Sequence, residues 1–341
     1  MKKVSRRDFL HLMGVGIGGV TAAQLISGCE TDYPSPTINP EPSLTPLQPQ
    51  PTSTPTPSPQ STNTQQPTPP EYPYLVVTHG EDPEQHIRQG IKALGGMERF
   101  MKSGADVIIK PNICVPYHSY EYAATTNPWI VGALVKVCLE AGAKRVRVMD
   151  FPFGGSAKDS YRKSGIEEQV NAAGGEMEIM TTLKYREYDI PNAVSLQKTS
   201  VYEEILKADL LIDVPIAKNH GLAILTLGLK NLMGTILDRG AIHNDFENRL
   251  VDLATLVRPH LTVIDAMRTL MANGPTGGNL SDVKIQNTVI FSHDTVTADS
   301  FATSLFGLLP QQLGYLVNAA NRGLGRLDYQ NVKIEEFNIN G

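Results

Sequence analysis

From Glu30 to Pro73 the chain is built almost wholly from Pro, Thr, Ser, Gln and Asn, with 14 of its 24 prolines and no Lys or Arg. Such a stretch has too little apolar area to offset the entropy of ordering it, so it predicts an extended, disordered linker over residues 29–73. As polyproline II its 44 residues would reach on the order of 130 Å, at about 3.1 Å each. Any sizeable core must therefore come from the 268 residues 74–341, enough for one large domain or two small ones.

Ahead of the linker, Met1–Arg7 is basic and Ser5-Arg6-Arg7-Asp8-Phe9-Leu10 matches the twin-arginine export pattern. The apolar region that follows to Ile26 is too short and Gly-rich for a stable membrane span. Ile26-Ser27-Gly28-Cys29 has the form of a lipobox, in which the Cys29 thiol takes a lipid before cleavage. Residues 1–28 thus read as a twin-arginine lipoprotein signal. The expected product is exported and anchored through Cys29 to the outer face of the cell membrane; a plain secretory signal is the alternative.

The remaining domain has 26 basic against 30 acidic residues, which argues against a nucleic-acid surface. Beyond Cys29 only Cys114 and Cys138 remain. Two cysteines in so large a domain suit buried thiols, and a disulfide between them stays open.

Short β-branched runs alternate with amphipathic stretches. Strands are predicted at Leu75–Thr78, Asp106–Lys110, Arg145–Asp150, Leu210–Val214, Leu261–Asp265 and Thr288–Ser292. Helices are predicted at Pro83–Leu94, Pro128–Ala141, Val201–Lys207, Phe246–Val257, Val296–Phe306 and Gln311–Asn321, with Asp82-Pro83 and Asn127-Pro128 as start signals and Gly142 as a stop. This alternation predicts an α/β fold, a mixed, largely parallel sheet with helices on both faces.

Polar residues recur where those strands finish: Lys110 and Asn112, Asp150, Lys218 and His220, Asp265. In open α/β sheets ligands bind outside the carboxyl ends of the strands, so these endings predict one crevice. One wall is Leu211–His243, an apolar run carrying Lys218, His220, Lys230, Asn231, Arg239 and His243. Buried cations are costly without a partner, which favours an anion site over a solvated face, although each side chain could also reach out to water. Within this run Leu222–Ile236 reads as a helix, with Leu222, Leu225, Leu229, Leu232 and Ile236 facing the core and Ala223, Thr226, Lys230 and Gly234 on a second, mostly small face. Lys218 and His220 share one face if the backbone there is extended. The neighbouring cations would keep His220 neutral as a general base, with His243 as its acid counterpart. Metal binding by His220, His243 and Asp265 has no supporting ligand spacing. No nucleophile elbow, P-loop or triad spacing is present; Gly274–Gly278 reads as a flexible turn and Trp129 as a packing residue.

The blocks Lys110-Pro111-Asn112, Ala124-Thr125-Thr126-Asn127-Pro128, Glu140-Ala141-Gly142-Ala143, Pro215 to His220, Leu229 to Gly234, Arg239 with His243, Asp265-Ala266, Gly274 to Gly278 and Asp294 to Asp299 resemble, in order, those of the domain-of-unknown-function family 362 over about residues 75–310. The resemblance implies that these residues act together, and it implies an association with ferredoxin-type iron–sulfur modules. This chain carries no four-cysteine cluster, so no iron–sulfur cluster is expected of it.

Three functions follow as expectations. The first is an enzyme for a small phosphorylated or carboxylated molecule held by Lys110, Asn112, Thr126, Lys218, Lys230, Asn231 and Arg239. Asp150, Asp265 and Asp299 would support that site, and His220 and His243 would move protons. The second is a tethered protein that captures the anion without chemistry. The third is an accessory that docks to a redox partner protein.

Overall fold

Leu210–Val214 has no polar face apart from Asp213, and every one of its residues is buried, the mark of a strand covered on both sides. In the computed structural model, which describes residues 72–339, it lies inside a sheet that sets the plan of the domain. The twin-arginine segment, Cys29 and the linker up to Glu71 lie outside the described residues.

The strands are β1 Leu75–His79, β2 Asp106–Pro111, β3 Arg145–Val148, β4 Glu176–Met177, β5 Tyr185–Asp189, β6 Lys198–Tyr202, β7 Leu210–Val214, β8 Ile216–His220, β9 Ile224–Thr226, β10 Leu261–Leu270, β11 Val283–Ser292 and β12 Ile334–Asn338. The large sheet runs β12-β1-β11-β10-β7-β2-β3-β4. Its β10-β7-β2-β3-β4 run and the β1–β12 pair are parallel. Only β11 runs against both its neighbours, so the sheet is mixed and largely parallel, as expected. β5 and β6 form a separate antiparallel pair.

Successive side chains divide between two cores, as the two-residue period of a strand requires. Val76, Val107, Ile109, Ile212, Val263 and Phe291 pack with the helices Pro83–Ala93, Pro128–Glu140 and Ile166–Ala172. Leu75, Val77, Ile108, Leu211, Ile264 and Ile290 pack with Phe246–Leu256, Thr295–Ala302 and Gly314–Asn321. Helices therefore cover both faces. Asp82 and Asn127 cap the first two helices as their sequences predict, each just before a proline, which has no N–H in need of an acceptor. Among the described residues no helix is long and apolar enough to cross a membrane.

Several boundaries differ from the sequence reading. The third strand stops at Val148, leaving Asp150 beyond it. The sixth predicted strand is only the second half of β11, and β10 continues past Asp265 to Leu270. Val201 and Tyr202 end strand β6 rather than open a helix. The expected helix Leu222–Ile236 is mostly absent. β8 turns back at Gly221 into β9, with Lys218 opposite Thr226 and His220 opposite Ile224, and only Gly228–Asn231 is α-helical before a 3-10 turn at Leu232–Thr235. The cross-strand ladder satisfies backbone groups that a helix would otherwise pair locally, and Leu222 is left exposed.

β7 and β8 are one course of chain interrupted at Pro215. β7 pairs with β10 at Leu261 and Thr262, and β8 meets β10 again at Asp265 and Leu270. The interruption throws β8 and its turn outward past the carboxyl ends of β7 and β2, which opens a crevice there.

Candidate functional site

A cavity of about 300 Å³ occupies that crevice. Asn112 and Cys114 from the end of β2, Asp150, Phe151 and Phe153 from beyond β3, and Lys218 and His220 from β8 all line it. The remaining wall is Thr226, Lys230, Asn231, Met233, Gly234, Arg239 and His243, closed by Pro275. Of the residues expected to bind, Asn112, Lys218, Lys230, Asn231 and Arg239 reach this wall, as do Asp150 and both histidines. Lys110, Thr126, Asp265 and Asp299 lie behind it.

Lys110 is only 1% exposed, and its ammonium is engaged by Asp150 Oδ1 at 2.8 Å and by the Pro111 carbonyl at 3.1 Å. It is a structural cation rather than a ligand holder. Asp150 also accepts from the Ile113 amide at 2.8 Å, and Gly234 packs so closely that a Cβ there would sit 2.0 Å from Asp150 Oδ1. Thr126 accepts from the Asn112 amide at 2.9 Å and donates to the Val214 carbonyl at 2.7 Å, joining β2 to β7. Asp265 accepts from the amides of Asn127 and Met267. Burial pushes its carboxyl up to about 6. Asp299 accepts from the amides of Gly228 and Leu229 at 2.7 and 2.9 Å, holding the short helix that presents Lys230 and Asn231. Both were expected to support the site rather than to hold the ligand, and the backbone amides they satisfy keep them behind the wall.

Lys218 is equally buried, and it donates to Asn112 Oδ1 at 2.9 Å, to the Ala124 carbonyl at 2.6 Å and to the Pro275 carbonyl at 3.0 Å. All three ammonium donors have neutral partners, and burial lowers its pKa. The Gly274–Gly278 segment is therefore tied down by Lys218 rather than being a loose turn. From Lys218 a relay runs inward: Asn112 Nδ2 donates to Asn231 Oδ1 at 2.9 Å, and Asn231 Nδ2 to Asp213 Oδ1 at 2.8 Å. Asp213 is fully buried with Oδ2 unpartnered, and burial pushes its carboxyl up to about 7 against the nearby Lys110 charge. The sequence reading missed Asp213 as part of the site. Its signal was a lone carboxylate inside an otherwise apolar strand.

The other two cations differ. Lys230 has no hydrogen-bond partner for its ammonium among the described residues and lies 6.0 Å from the Phe246 ring centre. Burial, then the charges of Lys218 and Arg239, bring its pKa down to about 8. Arg239 donates through Nε to the Met233 carbonyl at 3.0 Å and stacks 4.9 Å over Phe151, but its buried Nη2 has no partner among the described residues. Thr226 is also on the wall, and its buried Oγ1 has no partner among the described residues. Neither Lys218, Lys230 nor Arg239 forms an ion pair among the described residues, so positive charge on this wall is uncompensated.

Neither histidine carries its proton as its expected role requires. His220 Nδ1 accepts from the amides of Leu222 and Ala223 at 3.1 and 3.2 Å, and burial with the Lys230, Lys218 and His243 charges takes its pKa down to about 3. A neutral ring whose Nδ1 accepts carries its proton on Nε2, so His220 offers a donor and cannot act as the base. His243 is also shifted down, by burial and then by Lys230, and as a neutral imidazole it is a proton acceptor. Trp129 is 43% exposed, edge-on to Tyr120, and is not a core residue.

The sequence profile of the domain of unknown function DUF362 matches residues 107–304, a span that holds every residue lining the cavity. The chain belongs to the DUF362 family. It is 27% identical over 248 residues to the thylakoid-associated protein sll1697 of Synechocystis, covering 70% of this chain and 74% of that one. Among solved structures it is similar to the lactate racemase apoprotein of Thermoanaerobacterium thermosaccharolyticum, at 12% identity, with a TM-score of 0.46, over 67% of this chain and 56% of that one. It is also similar to a structural-genomics protein of Thermotoga maritima, at 12% identity, with a TM-score of 0.39, over 68% and 60%. The chain thus spans less than two thirds of the length of either solved structure.

The two described thiols of this DUF362 member do not fit the ligand set of an iron–sulfur cluster. Cys114 is on the cavity wall, Cys138 lies on the helix Pro128–Glu140 with its side chain buried in the core, and both are free. Among the described residues no group of three or more His, Cys, Asp or Glu side chains is placed to hold a metal ion.

Proposed function

We propose that this DUF362 domain binds a small phosphorylated or carboxylated molecule in the β2/β7 crevice, and that it does so outside the cytoplasm, tethered through Cys29. The observation that carries the reading is that Arg239, Thr226 and Lys230 line one cavity while Arg239 Nη2, Thr226 Oγ1 and the Lys230 ammonium have no hydrogen-bond partner among the described residues. A buried donor without an acceptor costs about 1–3 kcal/mol, more when it is charged, and an anion removes that cost. Asp150 does not cancel the charge, because Lys110 already engages it.

His220 Nε2–H gives the bound molecule a neutral donor and His243 gives it a base. Phe151 and Phe153 give the cavity an apolar side, where a polar contact is stronger than in water. The export and tether reading is supported by the twin-arginine pattern and the lipobox at Cys29.

The test is calorimetric titration of the full chain with inorganic phosphate and with simple carboxylates. Arg239→Gln is expected to weaken the tighter of these by about tenfold or more. An Arg239→Gln protein that binds as the wild type does, or a wild type that binds no anion, overturns the reading. For the tether, labelling with a radioactive fatty acid in cells should be lost in Cys29→Ser; label that survives the substitution overturns it.

A further inference from the structure

We propose that Lys230 is a carbonyl-reactive amine, and that the ligand is therefore an anionic aldehyde or ketone which Lys230 captures as an imine. The proposal rests on the anion-binding reading above and names the substrate class of that site.

Geometry separates Lys230 from the other two lysines here. A nucleophilic amine needs its lone pair, and an ammonium held by three acceptors or by a carboxylate has none to give. Lys218 is held by three oxygens and Lys110 by Asp150 and a carbonyl. Only Lys230 reaches the cavity with no acceptor on its nitrogen among the described residues. Its neighbours are built for the partner molecule: Arg239 Nη2 and Thr226 Oγ1 are unpartnered donors for the anionic group, and His220 Nε2–H is a neutral donor for a carbonyl oxygen.

Its environment also favours the reactive form. Burial and the adjacent Lys218 and Arg239 charges disfavour the ammonium, with a pKa of about 8, so roughly a tenth of the side chain is neutral amine at pH 7. An ordinary lysine at that pH is almost wholly protonated.

The step balances without an oxidant or reductant. The Lys230 nitrogen lone pair attacks the carbonyl carbon and a C–N bond forms. The carbonyl oxygen, hydrogen-bonded by His220 Nε2–H, takes one of the two protons on the new C–NH2+ nitrogen, carried across by His243, and becomes the hydroxyl of a carbinolamine, with one proton left on the nitrogen. His243 accepts a proton from the nitrogen and returns it to that hydroxyl. The C–O bond then breaks, water leaves, and the imine remains. Nothing is oxidised or reduced.

The experiment treats the full chain with glyoxylate, and separately with glycolaldehyde phosphate, in the presence of cyanoborohydride, and maps the adducts by peptide mass spectrometry. Lys230 should be labelled on the order of tenfold faster than exposed lysines such as Lys163, with a rate that rises through about pH 8. The faster of the two probes tells whether the anionic group is a carboxylate or a phosphate. Lys230→Arg, checked for folding by circular dichroism, should lose the fast adduct, and inorganic phosphate should slow it in the wild type. If phosphate or a carboxylate binds calorimetrically while Lys230 reacts no faster than Lys163, the carbonyl inference falls and the anion reading stands. If no anion binds and no fast adduct forms, both fall. A fast adduct on Lys218, or one that persists in Lys230→Arg, also overturns the assignment.

Discussion

Asn231 Nδ2 donates to Asp213 Oδ1 at 2.8 Å, closing at its buried end a relay that starts from the Lys218 ammonium. The pair links the cavity wall to the centre of the sheet. It makes the protonation of one buried carboxyl part of how the wall is held.

Asp213 should therefore set a pH dependence of stability. Its carboxyl is raised to about 7 in the folded chain but ionises near 3.9 when unfolded, so between those values the folded state binds more protons. The stability it contributes is fully present below about pH 4 and is lost as the pH rises through 7. Asp213→Asn removes this loss, so relative to wild type the variant should gain more than about 1 kcal/mol between pH 5 and pH 8. Urea denaturation at the two pH values measures it, and an unchanged gap refutes it.

Gly234 lets Lys110 and Asp150 pack against the backbone. A Cβ there would meet Asp150 Oδ1 at 2.0 Å and Lys110 Nζ at 2.7 Å. Gly234→Ala should cost about 1–3 kcal/mol, through displacement of the pair. Asp150→Ala, which strands the buried Lys110 charge, should cost about 3–5 kcal/mol, and adding Lys110→Met should restore much of it. Melting temperatures of Gly234→Ala, Asp150→Ala, Lys110→Met and the double variant decide this; an additive double variant would show that the two residues do not act as a pair.

His220 should remain neutral, with its proton on Nε2, from pH 8 down to about pH 4, since burial and the surrounding cations depress its titration to about 3. Nitrogen chemical shifts of a protein labelled at histidine report both tautomer and charge. A titration near the ordinary 6.5, or a proton on Nδ1, would contradict the donor role.

Asp299 holds the Gly228 and Leu229 amides and through them the turn that carries Lys230. Asp299→Ala leaves two buried amides without acceptors and should cost about 2–4 kcal/mol, with weaker phosphate binding than the wild type. Asp299→Asn keeps one acceptor oxygen and should lie between. An Asp299→Ala protein of wild-type stability would show that the carboxylate does not support the turn.

Much of the frame was legible because its causes are local. Leu75 to Thr78 and Leu210 to Val214 are β-branched and apolar runs with no helical period, and Asp82-Pro83 and Asn127-Pro128 mark helix starts by chemistry that needs only the next few residues. Leu222–Ile236 was misread for the opposite reason. Its apolar spacing suits a helix, but the ladder between Lys218 and Thr226 overrides it, and the ladder depends on β8 being drawn alongside β10.

The site divides in the same way. By itself the chain determined that cations and imidazoles crowd one apolar segment, and that strand ends would bring Asn112 and Asp150 towards them. Which of those cations is available was decided only by the tertiary structure. Lys110 meets a carboxylate forty residues away, Lys218 meets carbonyls from two distant loops, and Lys230 meets no acceptor among the described residues. The cost of burying a charge depends on its partner, and these partners become neighbours only when the sheet is assembled.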